Sequence, residues 1–192
     1  MMDPYIHSRS HLLKNKANLH TPEALAAHEA RMVFKRLIFL YSRPVTGAFD
    51  LAHLLAIHHA LFQDVYPWAG RVRSCDLSLG LVSFCPAQWL ESSLTALFGE
   101  LARENWLRER SAEKFAHGAA YYLAELNAIH PFRDGNGRTQ REFIRELGLS
   151  AGHKIRWAPI TQFEMYTSSK LSMATKNPIG LVHILRKTLG LN

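Results

Sequence analysis

Between two amphipathic helical runs, Ser111 to Ile129 and Arg138 to Leu149, stands the stretch His130-Pro131-Phe132-Arg133-Asp134-Gly135-Asn136-Gly137-Arg138-Thr139-Gln140-Arg141. It dictates a helix, a tight loop and a second helix N-terminus. Pro131 drives His130 out of the α region, so the first helix must end there. Gly135 and Gly137 lack a Cβ, so the backbone can take φ > 0 and turn sharply around Asn136. Successive N–H groups in such a turn form an anion-binding concavity. A helix starting directly behind it adds free amides and the positive end of its dipole. Arg138 and Arg141 are three apart and share one helix face. Two guanidiniums beside an amide nest suit a polyphosphate. Asp134 supplies a carboxylate for Mg2+, which takes its remaining ligands from phosphates and water. His130 is a titratable base at the rim. Any one of these residues alone reads as a cap, a turn or solvated surface. Together they supply complementary roles at one place: a nucleotide-phosphate site with a metal and a general base. One tension is built in, since a helix C-terminus favours a charged imidazole whereas a base must start neutral.

The stretch resembles the signature of the Fic family, H-P-F-x-(D/E)-G-N-G-R-x-x-R, and agrees with it at all nine specified positions. The resemblance implies a mainly α Fic fold, a helical bundle with one β-hairpin flap over the active-site loop. It implies a protein adenylyltransferase that moves AMP from ATP to a hydroxyl of a target protein and releases pyrophosphate. His130 would be the base and Asp134 the Mg2+ ligand. Gly135, Asn136 and Gly137 would form the anion hole, Arg138 and Arg141 would hold the β- and γ-phosphates, and Phe132 would anchor the loop. A tyrosine target, with a pKa of roughly 10, is easier to activate than Ser or Thr.

Trp68-Ala69-Gly70 with Arg73 is similar to the stretch that precedes the flap in that family. The arms Arg71 to Leu77 and Leu81 to Cys85, joined through Ser78-Leu79-Gly80, predict a short hairpin. The resemblance implies that Arg73, Ser74, Cys75, Asp76, Leu77, Val82, Ser83 and Phe84 dock the target by adding a strand to it. Cys75 and Cys85 lie on opposite arms, and in a cytosolic chain two free thiols are expected.

The remaining chain reads as one domain, residues 21–192, behind a loose, polar N-terminal arm, residues 1–20. The resemblance covers about residues 45–160. Thr21-Pro22-Glu23 starts a helix to about Tyr41, and Asp50 caps another over Leu51 to Phe62. Pro86 opens a third, to about Leu107, and Ser111 caps the fourth. Thr161 and Glu164 form a capping box, and Asn177-Pro178 starts the last helix. His53, His58 and His59 lack the spacing of a helical metal pair and read as surface or packing residues. No apolar run is long enough to span a bilayer, and Met1-Met2-Asp3-Pro4-Tyr5 shows no secretory signal, so a cytoplasmic location is expected. The net charge of +7 is scattered, with no Lys/Arg run longer than two. It suits anionic ligands or an acidic partner rather than direct nucleic-acid binding.

Many Fic proteins carry an inhibitory helix, (S/T)-x-x-x-E-(G/N), whose Glu pairs with the second motif Arg. Here Glu104 precedes Asn105, but Glu100 stands where Ser or Thr is required. With the active motif intact, the chain resembles the short Fic toxins of bacterial toxin–antitoxin pairs. A separate small antitoxin would then deliver a Glu to Arg141. Targets in that group include the ATPase subunits of type II topoisomerases. The alternatives are a kinase like the Fic relative Doc, whose motif has Lys where Gly137 stands, and a catalytically silent binding module.

Overall fold

The structure is a computed structural model that describes residues 3–80 and 82–191. Met1, Met2, Leu81 and Asn192 lie outside the described residues, and with them the expected start of the second hairpin arm. Among the described residues there are seven α-helices and one two-stranded hairpin. Helix α1, Pro22–Ser42, begins where Thr21 accepts the Ala24 N–H, and α2, Leu51–Phe62, where Asp50 accepts the His53 N–H. Proline fits the first turn because it has no N–H to lose. The third helical run breaks earlier than its sequence predicts. After a 3-10 turn at Ala87–Trp89, α3 spans Leu90–Arg103, and a second 3-10 turn, Asn105–Leu107, follows. Asn105, Trp106 and Leu107 all take positive φ, which no α-helix accommodates.

Helix α4, Ala112–Ile129, is the hub. It packs against α3, against α5 (Asn136–Ser150), α6 (Gln162–Thr175) and α7 (Ile179–Leu189). Its buried Ala116, Ala119 and Ala120 let neighbouring helices approach closely, while Phe115, Leu123 and Leu126 fill the space beside them. Helix α5 is polar in sequence and yet buried, so each buried charge has a partner. Arg145 pairs with Glu142 at 2.5 Å, and Glu146 takes the His53 ring at 2.9 Å and the Val45 N–H at 3.0 Å. The capping box at Thr161 and Glu164 is formed. No helix among the described residues is long and apolar enough to cross a membrane.

The N-terminal arm is not loose. Ile6 and Leu13 form an antiparallel bridge, the Lys16 N–H donates to the Val65 carbonyl, and Tyr5 meets Trp68 edge-on at 5.4 Å. Arg133 holds Asp3 at 2.7 Å. These ties come from irregular backbone and distant side chains, which leave no period in the sequence.

The hairpin is also shorter than its sequence suggests. Among the described residues of the hairpin, only β1, Ser78–Leu79, and β2, Val82–Ser83, pair, with Ser78 opposite Ser83 and Leu79 opposite Val82. One more bond runs from the Phe84 N–H to the Leu77 carbonyl. Ser74, Cys75 and Asp76 lie before the ladder, where the Ser74 N–H donates to the Tyr5 hydroxyl and Asp76 accepts the Ala87 N–H. Cys75 and Cys85 are free thiols. Arg73 corrects the docking assignment made for it. It is 2% exposed, and its guanidinium donates to the carbonyls of His130, Cys75, Cys85 and Ile129. It fastens the hairpin base to the end of α4 and presents nothing to a target. Replacing it with alanine strands four inward-facing carbonyls. Arg73→Ala is expected to lose about 2–4 kcal/mol in urea denaturation; a loss under 1 kcal/mol would contradict this role.

Candidate active site

His130 closes α4 in the left-handed region, φ 51° and ψ 62°, with its N–H bonded to the Leu126 carbonyl. That conformation lies outside the right-handed α region that Pro131 disfavours and ends the helix there. Nδ1 lies 3.2 Å from the Asn127 carbonyl, which can only accept, so Nδ1 carries the proton and Nε2 is the open acceptor. Phe84 of the hairpin stacks on the ring at 3.9 Å between centroids and 19° between planes. Burial, with Arg73 nearby, pulls the imidazole from 6.5 down to about 4. The tension at the helix end is thereby decided. The drop amounts to roughly 3 kcal/mol against the cation, while a helix C-terminus offers it roughly 0.3–1 kcal/mol.

The loop beyond is held from its buried side. Asn136 accepts the Phe132 N–H at 2.9 Å and donates to the Phe132 carbonyl at 2.8 Å. Its carboxamide is therefore committed to the loop, and only its main-chain N–H is left for an anion. Phe132 is fully buried and stacks on His58 at 3.8 Å. His58 accepts the Gly70 N–H at Nδ1 and donates from Nε2 to the Asp134 carbonyl at 3.1 Å. Burial pulls its pKa from 6.5 down to about 3, so the ring is neutral at neutral pH. His53 and His58 are thus packing residues, as their spacing suggests, and His59 is exposed.

Gly135 has φ +81°, and a Cβ there would lie 2.4 Å from the Phe62 ring. At Gly137 the φ is helical, because α5 begins at Asn136 and not at the expected Arg138. The first intrahelical bond runs from the Thr139 N–H to the Gly135 carbonyl, which leaves the amides of Asn136, Gly137 and Arg138 ahead of it without a partner among the described residues. These amides face a cleft of about 810 Å3, lined on the motif side by His130, Asp134, Arg138 and Arg141 and opposite by Trp157, Met165 and Tyr166. The sequence-predicted motif residues meet here, save Phe132, which lies beneath.

The two arginines are not equivalent. Arg138 pairs with Glu29 of α1 at 2.5 Å and with Asp134 at 3.3 Å, and it lies 4.7 Å over the Phe62 ring. The guanidinium of Arg141 makes no hydrogen bond or ion pair with any described residue, although its main-chain carbonyl accepts the Trp157 Nε1–H at 3.2 Å. Burial and the neighbouring Arg138 lower its pKa, though an Arg stays cationic. An uncompensated half-buried cation beside free amides suits an anion. Asp134 uses one oxygen for the Gly135 N–H and Arg138; the other has no partner among the described residues. Burial, with Glu29 nearby, raises its pKa. Among the described residues no cluster of three His, Cys, Asp or Glu could hold a metal. A cation here would rest on Asp134 and on the phosphates it accompanies, a donor set that fits Mg2+.

A second, more apolar space of about 390 Å3 joins the cleft at His130, between the hairpin and α6. It is lined by Leu79, Val82, Phe84, Lys170 and Met173. The sequence reading missed Glu29, Tyr66, Phe62 and His58. One signal was present for Glu29: it stands four residues from both Leu25 and Val33, on the core-facing stripe of α1, where an acid needs a partner. The partner is 109 positions away and leaves no local trace. Titration of the His130 ring by NMR should give a pKa near 4 with the proton on Nδ1. A value at or above the ordinary 6.5 would contradict the buried, neutral ring.

Residues 48–147 match the Fic/DOC family. The chain is 38% identical over 167 residues to protein adenylyltransferase VbhT of Bartonella schoenbuchensis. That match covers 87% of this chain but about a third of that protein, 35%. It is 41% identical over 154 residues to the probable protein adenylyltransferase y4lH of Sinorhizobium fredii, covering 80% of this chain and 79% of that one. Among solved structures, BepC of Bartonella tribocorum with bound AMPPNP superposes with a TM-score of 0.91 at 28% identity, over 96% of this chain and 95% of that one.

Proposed function

Because this chain belongs to the Fic/DOC family, we propose that it is a protein adenylyltransferase, moving AMP from ATP to a hydroxyl of a target protein. The observation that carries the reading is a neutral imidazole with an open Nε2 in the same cleft as an unpaired Arg141. The β- and γ-phosphates take Arg138, Arg141 and the free amides of Asn136 and Gly137. The base lies toward Trp157, Met165 and Tyr166, whose rings and thioether suit an apolar heterocycle. Asp134 would hold Mg2+, which, when bound, neutralises phosphate charge. Relatives support the nucleotide: BepC was solved with AMPPNP, and several similar chains are named adenylyltransferases.

Nε2 of His130 takes the proton of the target hydroxyl as its oxygen attacks the α-phosphorus. The bond from that phosphorus to the α–β bridging oxygen breaks, and pyrophosphate leaves on the positive cradle. Preorganised donors aimed at developing charge are the main term in such a transfer. The nucleophile enters through the space under the hairpin. Its Leu79, Val82, Phe84 and Met173 walls suit a ring-bearing side chain, which favours tyrosine. The exposed edges at Ser78–Leu79 and Ser83 are open to a target strand. Gly137 rather than Lys in the motif favours AMP transfer over phosphorylation. The unpaired guanidinium of Arg141 supports a toxin restrained by an antitoxin, whose Glu would take it. A cytoplasmic target such as a type II topoisomerase ATPase subunit fits this role.

His130→Ala is expected to lower transfer by at least about 100-fold while ATP still binds. With α- and γ-labelled ATP and a bacterial lysate, only the α label should reach protein; γ-label transfer would mean a kinase. The rate should also resist acid. A base with a pKa of about 4 stays deprotonated as the pH falls from 8 to about 5.5, so kcat/KM should hold across that range. A profile half-lost near 6.5 would point to an ordinary exposed histidine.

A further inference from the structure

We infer that Glu29 of α1 is a positioning residue for phosphate binding: it and Tyr66 fix the guanidinium of Arg138 in the orientation that a polyphosphate meets. The inference rests on the triphosphate reading of the cleft. Glu29 lies outside residues 48–147, the segment matched to the family. Its side chain is 15% exposed, and each oxygen has one job. Oε1 accepts from Arg138 Nη1 at 2.5 Å, and Oε2 accepts from the Tyr66 hydroxyl. Tyr66 is buried and stacks on Trp68 at 4.5 Å and 16°, so the donor that holds Glu29 is itself fixed. Helix α1 is in turn fastened beside the site: Leu25 and Val33 are buried on either side of Glu29, and Arg36 grips Asp64 through two bonds, at 2.6 and 2.8 Å.

The outcome at Arg138 is a guanidinium with most of its freedom removed. Phe62 lies 4.7 Å from Cζ across one face, Glu29 holds Nη1, and Asp134 reaches Nη2 at 3.3 Å. Arginine has five donor hydrogens, so the Nε–H and one hydrogen on each Nη remain for a ligand. A fixed cation loses less side-chain entropy when the ligand arrives. Glu29 also cancels part of its charge, which leaves Arg141 as the net positive group. Arg138 would set where the phosphates lie, and Arg141 would supply most of the attraction.

The test is calorimetric titration of Mg-ATP, Mg-ADP and AMP into the wild-type chain and into E29A, E29Q and Y66F. E29A should weaken ATP and ADP binding about five- to tenfold and leave AMP, which has no β-phosphate, within about twofold. E29Q keeps an acceptor for Arg138 and should fall between wild type and E29A, and Y66F should shift in the same direction by less. These milder variants carry the test if E29A does not fold. The loss should vanish in an R138A background, as coupling through Arg138 requires. Unchanged ATP binding in E29A and E29Q, equal losses for ATP and AMP, or a loss that persists beside R138A would overturn the role. Tighter ATP binding in E29A would overturn it too, by making Glu29 a competing anion. A wild-type chain that binds none of the three nucleotides would remove the triphosphate reading, and this inference with it.

Discussion

The carboxamide of Asn136 accepts from the N–H of Phe132 and donates to its carbonyl, and the arrangement of the whole site follows from that clasp. A loop that binds an anion through its main chain cannot spend the same amides on holding itself together. Here the holding is done from behind. Two hydrogen bonds, worth roughly 1 kcal/mol each, close the loop on itself. Burial of the Phe132 ring under His58 adds roughly 2–3 kcal/mol. His58 then reaches from Gly70 to the Asp134 carbonyl, so the turn after α2 and the motif loop share one neutral ring. With its buried side satisfied, the loop can leave the first amides of α5 exposed to the cleft.

The hairpin depends on the same junction. Arg73 donates to the carbonyls of Ile129 and His130 on one side and of Cys75 and Cys85 on the other. The Arg73 N–H also bonds to the Pro131 carbonyl, and the Cys85 N–H to that of Ala128. Both legs of the hairpin are therefore fixed to the end of α4, although its ladder is only two residues long on each strand. The same connection lays Phe84 on the His130 ring. Burial under that ring keeps the imidazole neutral, so the element that would receive a target also prepares the base that would act on it.

Charge is distributed unevenly on purpose-built supports. At one end of the cleft Arg138 is paired with both Glu29 and Asp134, and at the other Arg141 faces the cleft uncompensated. Buried charges elsewhere, on Arg145, Glu142 and Glu146, are closed into pairs. The contrast singles out Arg141, whose guanidinium would meet a nucleotide phosphate or an inhibitor's carboxylate under the proposed function.

Local chemistry made part of this legible in the chain. Thr21, Asp50, Ser111 and the Thr161–Glu164 box fixed where helices start, because caps act within four residues. The motif from His130 to Arg141 fixed the order of base, carboxylate, amide nest and paired cations, because loop and helix geometry place residues close in sequence close in space. Its resemblance to a known signature supplied the family. Only the tertiary structure decided the rest. It placed Gly137 inside the helix, turned Arg73 from a docking residue into a buried staple, tied the N-terminal arm to Arg133, and brought Glu29 to Arg138 across 109 positions. It also settled the charge state of His130, since burial is a property of everything that packs around a ring and not of its neighbours in the chain.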